Sequence, residues 1–289
     1  MSKILVIGSL NADLVVQVDQ LPVPGETMKC NSFEVLPGGK GMNQAVCAAK
    51  LGAEVTMAGC IGNDEYGLML KNTLKKYNIN CDLVRTMEDT PSGMAIVTTS
   101  SEDNSIIVIP GANASVDCNY VDSILEEIKN TDMVVVQLEI PIETVYYIID
   151  LCNQYDIPVL LNPAPAGKLD ANYIEKVDYF IPNETELESL FHASYEEVLK
   201  RYPNKIIMSA GKEGAYYHDG TNLVHCRART VSVVDTTGAG DAFNGAIAYA
   251  VLAGKTLQEA VEYANGIAAI TTTVKGAQGA SADRYKQII

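Results

Sequence analysis

The densest chemistry lies in Val233-Val-Asp-Thr-Thr-Gly-Ala-Gly-Asp-Ala-Phe-Asn-Gly245. A β-branched run, read as a strand, enters Thr-Gly-Ala-Gly, and a helix is expected to begin near Asp241. Glycines 238 and 240 let the main chain approach a ligand and turn N–H groups outward. With the positive end of the helix, those groups make an anion hole suited to a phosphate. Asp241 at its mouth can take a proton from a hydroxyl while the amides stabilise charge growing on a phosphoryl group. The competing reading is that Asp241 simply caps the helix.

Gly38-Gly-Lys-Gly-Met-Asn-Gln-Ala45 puts Lys40 on a pliant backbone at a helix start, with Asn43 in the first turn. A lysine in a loop is otherwise a solvated one. Asn11 and Asp13 interrupt an apolar run just past a strand's C-terminal end, where open α/β sheets bind ligands; alone they read as turn residues. Asn183 and Glu186, in Ile181-Pro-Asn-Glu-Thr-Glu186, form a capping-box pattern. The same pair can hold a nucleotide's Mg²⁺ through water.

Two resemblances to nucleotide motifs fail. Gly238-Ala-Gly240 finds its next glycine at 245, not at the dinucleotide spacing of 243, which argues against a NAD-dependent oxidoreductase. Gly254-Lys-Thr256 would need a glycine at 249 to end a P-loop, and 249 is Tyr.

These residues need elements to hold them. Strands are expected at Lys3–Gly8, Leu14–Val18, Met28–Leu36, Val55–Ile61, Gly93–Thr99 and Ser105–Ile109, the last two joined by a turn at 102–104. From residue 117 helices and strands alternate: helix Asp117–Lys129, strand Met133–Leu138, helix Ile142–Tyr155, strand Pro158–Leu161, then strands Tyr179–Ile181 and Lys205–Ser209. That rhythm predicts a three-layer α/β/α sandwich on a mostly parallel sheet. Asp219-Gly220 marks a hairpin between Ala215–His218 and Leu223–Cys226, read as an antiparallel sheet edge. Helices Asp241–Leu252 and Leu257–Val274 close the chain. The early strands fit no alternating scheme and are expected to form a small separate sheet over the site.

The 289 residues carry 36 acids and 21 bases, a net charge of −15, which disfavours a nucleic-acid partner. No apolar run approaches the ~20 residues of a membrane helix. Seven scattered cysteines without a CxxC pair suit reduced thiols in a cytoplasmic protein.

Together the segments resemble the ribokinase, or PfkB, family of carbohydrate kinases nearly end to end. The resemblance rests on Gly8-Ser-Leu-Asn-Ala-Asp13, Pro24-Gly-Glu-Thr27, residues 38–45, Gln137-Leu-Glu139, Leu161-Asn-Pro-Ala-Pro-Ala166, Pro182-Asn-Glu-Thr-Glu186, residues 235–241 and Lys275-Gly-Ala-Gln278. It implies ATP-dependent phosphorylation of the 5-hydroxyl of D-ribose, giving D-ribose 5-phosphate and ADP. Related substrates are 2-deoxyribose, fructose or a nucleoside. A sugar-binding module without catalysis would show damage at the base or anion hole, and both are intact.

The resemblance also implies roles. Asp241 would be the general base, and the amides of Gly238, Ala239 and Gly240 would stabilise the γ-phosphoryl group. Asn11, Asp13, Gly39, Lys40, Asn43 and Glu139 would bind the sugar. Asn183 and Glu186 would serve Mg²⁺ and ATP. Ser209, Gly211 and Gly214 resemble a nucleotide-binding loop, and Asn265 falls near the adenine position. K⁺ would be held by the Asp235 carboxylate and carbonyls of Thr237, Thr271, Val274 and Gly276, with Ala280 or Ser281 last. The early strands resemble a β-lid, implying one kinase domain over 1–289, with lid segments near 12–36 and 92–110, and a homodimer clasped through the lids.

Overall fold

The structure is a computed structural model and describes residues 2–100 and 104–288. The chain begins with β1 (Lys3–Ile7), β2 (Asn11–Gln17), β3 (Ser32–Gly38) and α1 (Lys40–Leu51). Then come β4 (Glu54–Gly62), α2 (Glu65–Lys76), β5 (Val84–Met87), β6 (Gly93–Thr99) and β7 (Asn104–Ile109). A middle stretch holds α3 (Cys118–Asp122), α4 (Leu125–Lys129), β8 (Met133–Gln137), α5 (Ile142–Gln154) and β9 (Val159–Asn162). It continues with α6 (Asn172–Lys176), β10 (Tyr179–Phe180), α7 (Glu184–Phe191), α8 (Tyr195–Arg201) and β11 (Ile207–Ser209). Last are β12 (Gly214–His218), β13 (Leu223–Arg227), α9 (Ala239–Leu252), α10 (Leu257–Thr271) and α11 (Ala282–Tyr285).

The central sheet runs β10-β9-β8-β1-β4-β5, all parallel. In β1, Ile4 and Val6 face one core while Leu5 and Ile7 face the other, and none is more than 1% exposed. That near-continuous apolar run is what a strand covered on both faces requires. Helices α1, α2, α9 and α10 pack on the first face, and α3, α5, α7 and α8 on the second. The expected α/β/α sandwich is therefore present.

β11, β12 and β13 form an antiparallel sheet. Parallel bridges Phe180–Ile206 and Asn183–Ser209 attach it to the β10 edge. The Asp219 carboxylate closes the hairpin by accepting from Thr221 N and Asn222 N.

A second, mixed sheet runs β3-β2-β6-β7, with β2 and β6 parallel and both outer pairs antiparallel. It gathers the strands that did not fit the alternating pattern. The expected turn at 102–104 falls largely outside the described residues.

Two expectations need correction. The single helix over 117–129 is broken into α3 and α4, because Ser123 Oγ turns back onto Tyr120 O and the chain re-nucleates after Ile124. The run at 233–234 is not a strand. Val233 and Val234 are 60% and 65% exposed, and Val234 N and Asp235 N both donate to Thr272 O, so no neighbouring strand pairs with them. Among the described residues no helix is long and apolar enough to cross a membrane. The seven cysteines are all free.

Candidate active site

The site lies at the C-terminal ends of β1, β8 and β9, where parallel strands release their loops. Each contributes a polar group there: Ser9 after β1, Gln137 and Asn162 as the last residues of β8 and β9. Helices α1 and α9 then point their N-termini into the same space.

Helix α9 starts at Ala239, with Gly238 as its N-cap at φ +75°. A Cβ on Gly238 would also come within 2.5 Å of Ala277 Cα, so both conformation and space demand glycine there. The first intrahelical bond runs from Ala242 N to Gly238 O. The N–H groups of Gly240 and Asp241 precede it and are left to face another acceptor. The Ala239 amide, expected to face the anion with those of Gly238 and Gly240, donates instead to Thr236 O at 3.2 Å.

Asp241 does not cap the helix. It is 8% exposed, and its two oxygens take one side-chain amide each. Asn43 Nδ2 donates to Oδ2 at 3.0 Å and Gln44 Nε2 to Oδ1 at 3.1 Å. Burial pushes the Asp241 pKa above the usual carboxylate range, while Lys40, Asn43 and Gln44 pull the other way. A desolvated carboxylate beside free helix N-terminal amides can accept a hydroxyl proton as charge moves onto a neighbouring phosphoryl group.

Lys40 opens α1 and lines the polar cleft with Asp241 and Glu186, so it is not a solvated loop lysine. Burial works against its charge, but Asp241, Glu139, Glu186 and Asp13 outweigh that and raise its pKa. Glu139 Oε2 accepts from Ser9 Oγ, from Lys40 N at 3.0 Å and from Asn11 Nδ2 at 3.4 Å. Asn11 is held in turn by Asn113 Nδ2 at 2.7 Å. Gly38 packs on the Asp13 carboxylate, and Gly39, at φ +89°, passes close to the main chain of Ser9 and Asn11. The Asp13 pKa is pushed up to about 7 by burial, then by Glu139 and Asp241, with Lys40 opposing.

A polar cleft of about 400 Å³ joins Lys40, Asp241, Asn183 and Glu186. A more apolar one of about 520 Å³ adjoins it and shares Ser209, Gly211 and Gly240. Its walls include Gly214, Val231, Phe243, Asn265 and Ala268. Asn265 Nδ2 is engaged by Cys226 O at 2.7 Å. Asn183 and Glu186 do form the capping box: Asn183 Oδ1 accepts Glu186 N, and Glu186 Oε2 accepts Asn183 N. Glu186 Oε1 is not needed by the cap. Burial raises the Glu186 pKa, partly offset by Asn183 N and Lys40.

Asp235 joins two loops. Its Oδ1 accepts Thr237 N at 2.9 Å and its Oδ2 accepts Gly276 N at 2.8 Å. Burial resists ionisation, but these donors and Lys275 leave its pKa below the usual range. Thr271 Oγ1 bonds Ile267 O and the Tyr285 hydroxyl inside the core. Val274 packs against the core face formed by α1, α9 and α10. Ser281 caps α11, and Ala280 O accepts from Lys50 Nζ.

The sequence pointed to no role for the side-chain amides that surround Asp241 and Asn43. Gln137 Nε2 donates to Gln44 Oε1, and Gln44 Nε2 also reaches Asn162 Oδ1. Gln278 Nε2 donates to Asn43 Oδ1. All four lie in motifs quoted above; uncharged amides at a helix start, at two strand ends and in a glycine-rich turn were the available signal.

The pattern of the pfkB family carbohydrate kinases matches residues 1–284. The chain belongs to that family. Within it, a ribokinase of Bacillus subtilis (strain 168) is 44% identical over 280 residues, covering 96% of each chain. A deoxyribokinase of Salmonella typhi is 38% identical over 287 residues, covering 95% of this chain and 94% of its own. The structure of an Arabidopsis thaliana ribokinase complexed with ribose and ATP matches with a TM-score of 0.90 at 30% identity, over 100% of this chain and 99% of that one. Asp241 lines the polar cleft, next to Gly240, which both clefts share.

Proposed function

We propose that this protein phosphorylates the 5-hydroxyl of D-ribose with ATP, releasing D-ribose 5-phosphate and ADP. The carrying observation is Asp241, buried in the wall of the polar cleft next to Gly240, which that cleft shares with the apolar one, and beside free helix N-terminal amides. Similarity to ribokinases at 44% identity, and to one complexed with ribose and ATP, supports the choice of substrates.

In this reading Asn11, Asp13, Gly39, Lys40, Asn43 and Glu139 surround the sugar with convergent donors and acceptors, as a polyol needs. Asp241 takes the O5 proton as O5 bonds to the γ-phosphorus and the bond to the ADP oxygen breaks. The amides of Gly238 and Gly240 face the charge on the transferring group, with Ala239 joining if its bond to Thr236 opens. Ser209, Gly211, Gly214 and Asn265 border the nucleotide base in the apolar cleft.

Two ions suit the residues present. Glu186 Oε1 and the Asn183 turn face the polar cleft and would hold a hydrated Mg²⁺ through water, as that ion prefers. Mg²⁺ would neutralise phosphate charge. Asp235, kept ionised where two loops meet, would hold K⁺ with carbonyls of Thr237, Thr271, Val274 and Gly276. The Lys50 ammonium already lies on Ala280 O, which favours Ser281 as the last ligand.

The whole chain serves as one kinase unit, with β2, β3, β6 and β7 as its lid. A closed lid excludes water from ATP. The outer lid strands expose Phe33, Ile106 and Ile107, and two lids clasped together would cover them in a homodimer. Free thiols at all seven cysteines suit a cytoplasmic enzyme.

The similarity to a deoxyribokinase at 38% identity makes 2-deoxyribose the second reading. A coupled ADP assay over ribose, 2-deoxyribose, fructose and nucleosides, with Mg²⁺ and with or without K⁺, decides. Ribose should give the highest kcat/KM and K⁺ should raise the rate. ADP release indifferent to the sugar would overturn the proposal.

A further inference from the structure

Gln278 follows α10 in the Lys275-Gly-Ala-Gln278 segment and has been given no contact with either substrate. Its Nε2 donates to Pro37 O at 3.2 Å and to Asn43 Oδ1 at 2.9 Å. A main-chain carbonyl can only accept, so Pro37 fixes which end of the Gln278 amide faces it. Gln278 Oε1 is buried with no partner among the described residues. Reversing the amide would press that oxygen against two acceptors.

The constraint passes to Asn43. With Oδ1 turned to Gln278, Nδ2 must face Asp241 Oδ2, 3.0 Å away. An Asn43 amide free to turn over would present its oxygen to a carboxylate. The main chain of Gln278 is held independently, since Lys50 Nζ donates to Gln278 O and Ala280 O at 2.7 Å each.

We propose that Gln278 is a positioning residue that orients the Asn43 amide toward the base, tying segment 275–280 to proton transfer. The proposal rests on the reading of Asp241 as general base. Gln278 does not touch the reacting atoms; it decides whether Asn43 donates to them. The charged groups facing Asp241 are Lys40, Glu139, Asp13 and Glu186, and a neutral substitution at 278 leaves all four in place. Losing the Asn43 donor makes the ionised carboxylate less favourable, so Asp241 holds its proton to higher pH. A general base must be ionised to work, so the acid limb of kcat moves up.

The test uses full-length Gln278→Met and Gln278→Ala beside Asp241→Asn, assayed with ribose and ATP across the acid limb. Both Gln278 variants should shift the limb upward by about half a pH unit or more, costing at least about threefold in rate well below the limb. KM for ATP should move less than about twofold. A folded variant with an unshifted limb overturns the proposal. Should neither variant fold, side-chain amide NMR of the unaltered enzyme decides. The Asn43 NH₂ signals must then follow the Asp241 titration, and signals indifferent to it overturn the proposal. Near-normal turnover by Asp241→Asn sinks the general-base reading instead; an inactive Asp241→Asn with unshifted Gln278 variants sinks only the positioning role.

Discussion

Gln44 Nε2 bonds Asp241 Oδ1 at 3.1 Å across 197 positions of chain. The same nitrogen reaches Asn162 Oδ1 at 3.1 Å, and Gln44 Oε1 takes Gln137 Nε2. One side chain on α1 therefore ties the base on α9 to the ends of β8 and β9. Gln44→Leu keeps the volume but strands the groups around it. It should destabilise the enzyme by about 1–3 kcal/mol, read by urea denaturation. Unchanged stability would mean that the network rearranges around Leu.

Asp241→Asn preserves shape and removes the proposed base. We expect kcat to fall by about 10²–10⁴-fold, the usual contribution of a general base. Ribose and nucleotide affinities, measured by calorimetry, should hold within a few-fold. A variant that loses both together would point to a role in binding.

Asp13 carries a stability consequence whose sign follows from its pKa. The folded value, about 7, lies above the ordinary 3.8. Its contribution to the fold is complete below about pH 4 and is lost as pH rises through 7. Unliganded Asp13→Asn should thus be more stable than the parent at pH 8, by about 1–2 kcal/mol allowing for partial solvent screening, and no different at pH 4. The same variant should bind ribose more weakly. Parallel melting curves at the two pH values check the first point.

Gly245 sets the distance between the two site helices. A Cβ there would lie 2.6 Å from Gln44 O and 3.0 Å from Cys47 Cβ. Gly245→Ala should push α9 away from α1, costing about 1–3 kcal/mol as overpacking does. It should also lower kcat by loosening both amide bonds to Asp241. A melting temperature that drops with kcat intact would separate packing from catalysis.

The alternating layers were legible because β1, β8 and β9 are apolar on both faces, whereas β2, β3, β6 and β7 are buried only in part and stand outside the alternation. Asp13, Lys40, Glu186 and Asp241 stood out because charges in glycine-rich or strand-end contexts have few other reasons to be there. The amides of Gln44, Gln137, Asn162 and Gln278 did not. They carry no charge, and their roles depend on partners 93 to 235 positions away. Val233 and Val234 misled for the opposite reason: β-branching favours a strand, but a strand also needs a neighbour, and the N–H groups of Val234 and Asp235 both go to Thr272 O instead.

The sheet order bears on how the enzyme comes into being. β1 is made first yet lies between β4 and β8, so it waits for both. Such long-range pairing belongs to slow folding topologies. A nascent chain that has emerged through α8 already holds Asp13, Lys40 and Glu139, but neither Asp241 nor the amides of α9. On the proposed roles, the ability to split ATP arrives only with the last segments from the ribosome.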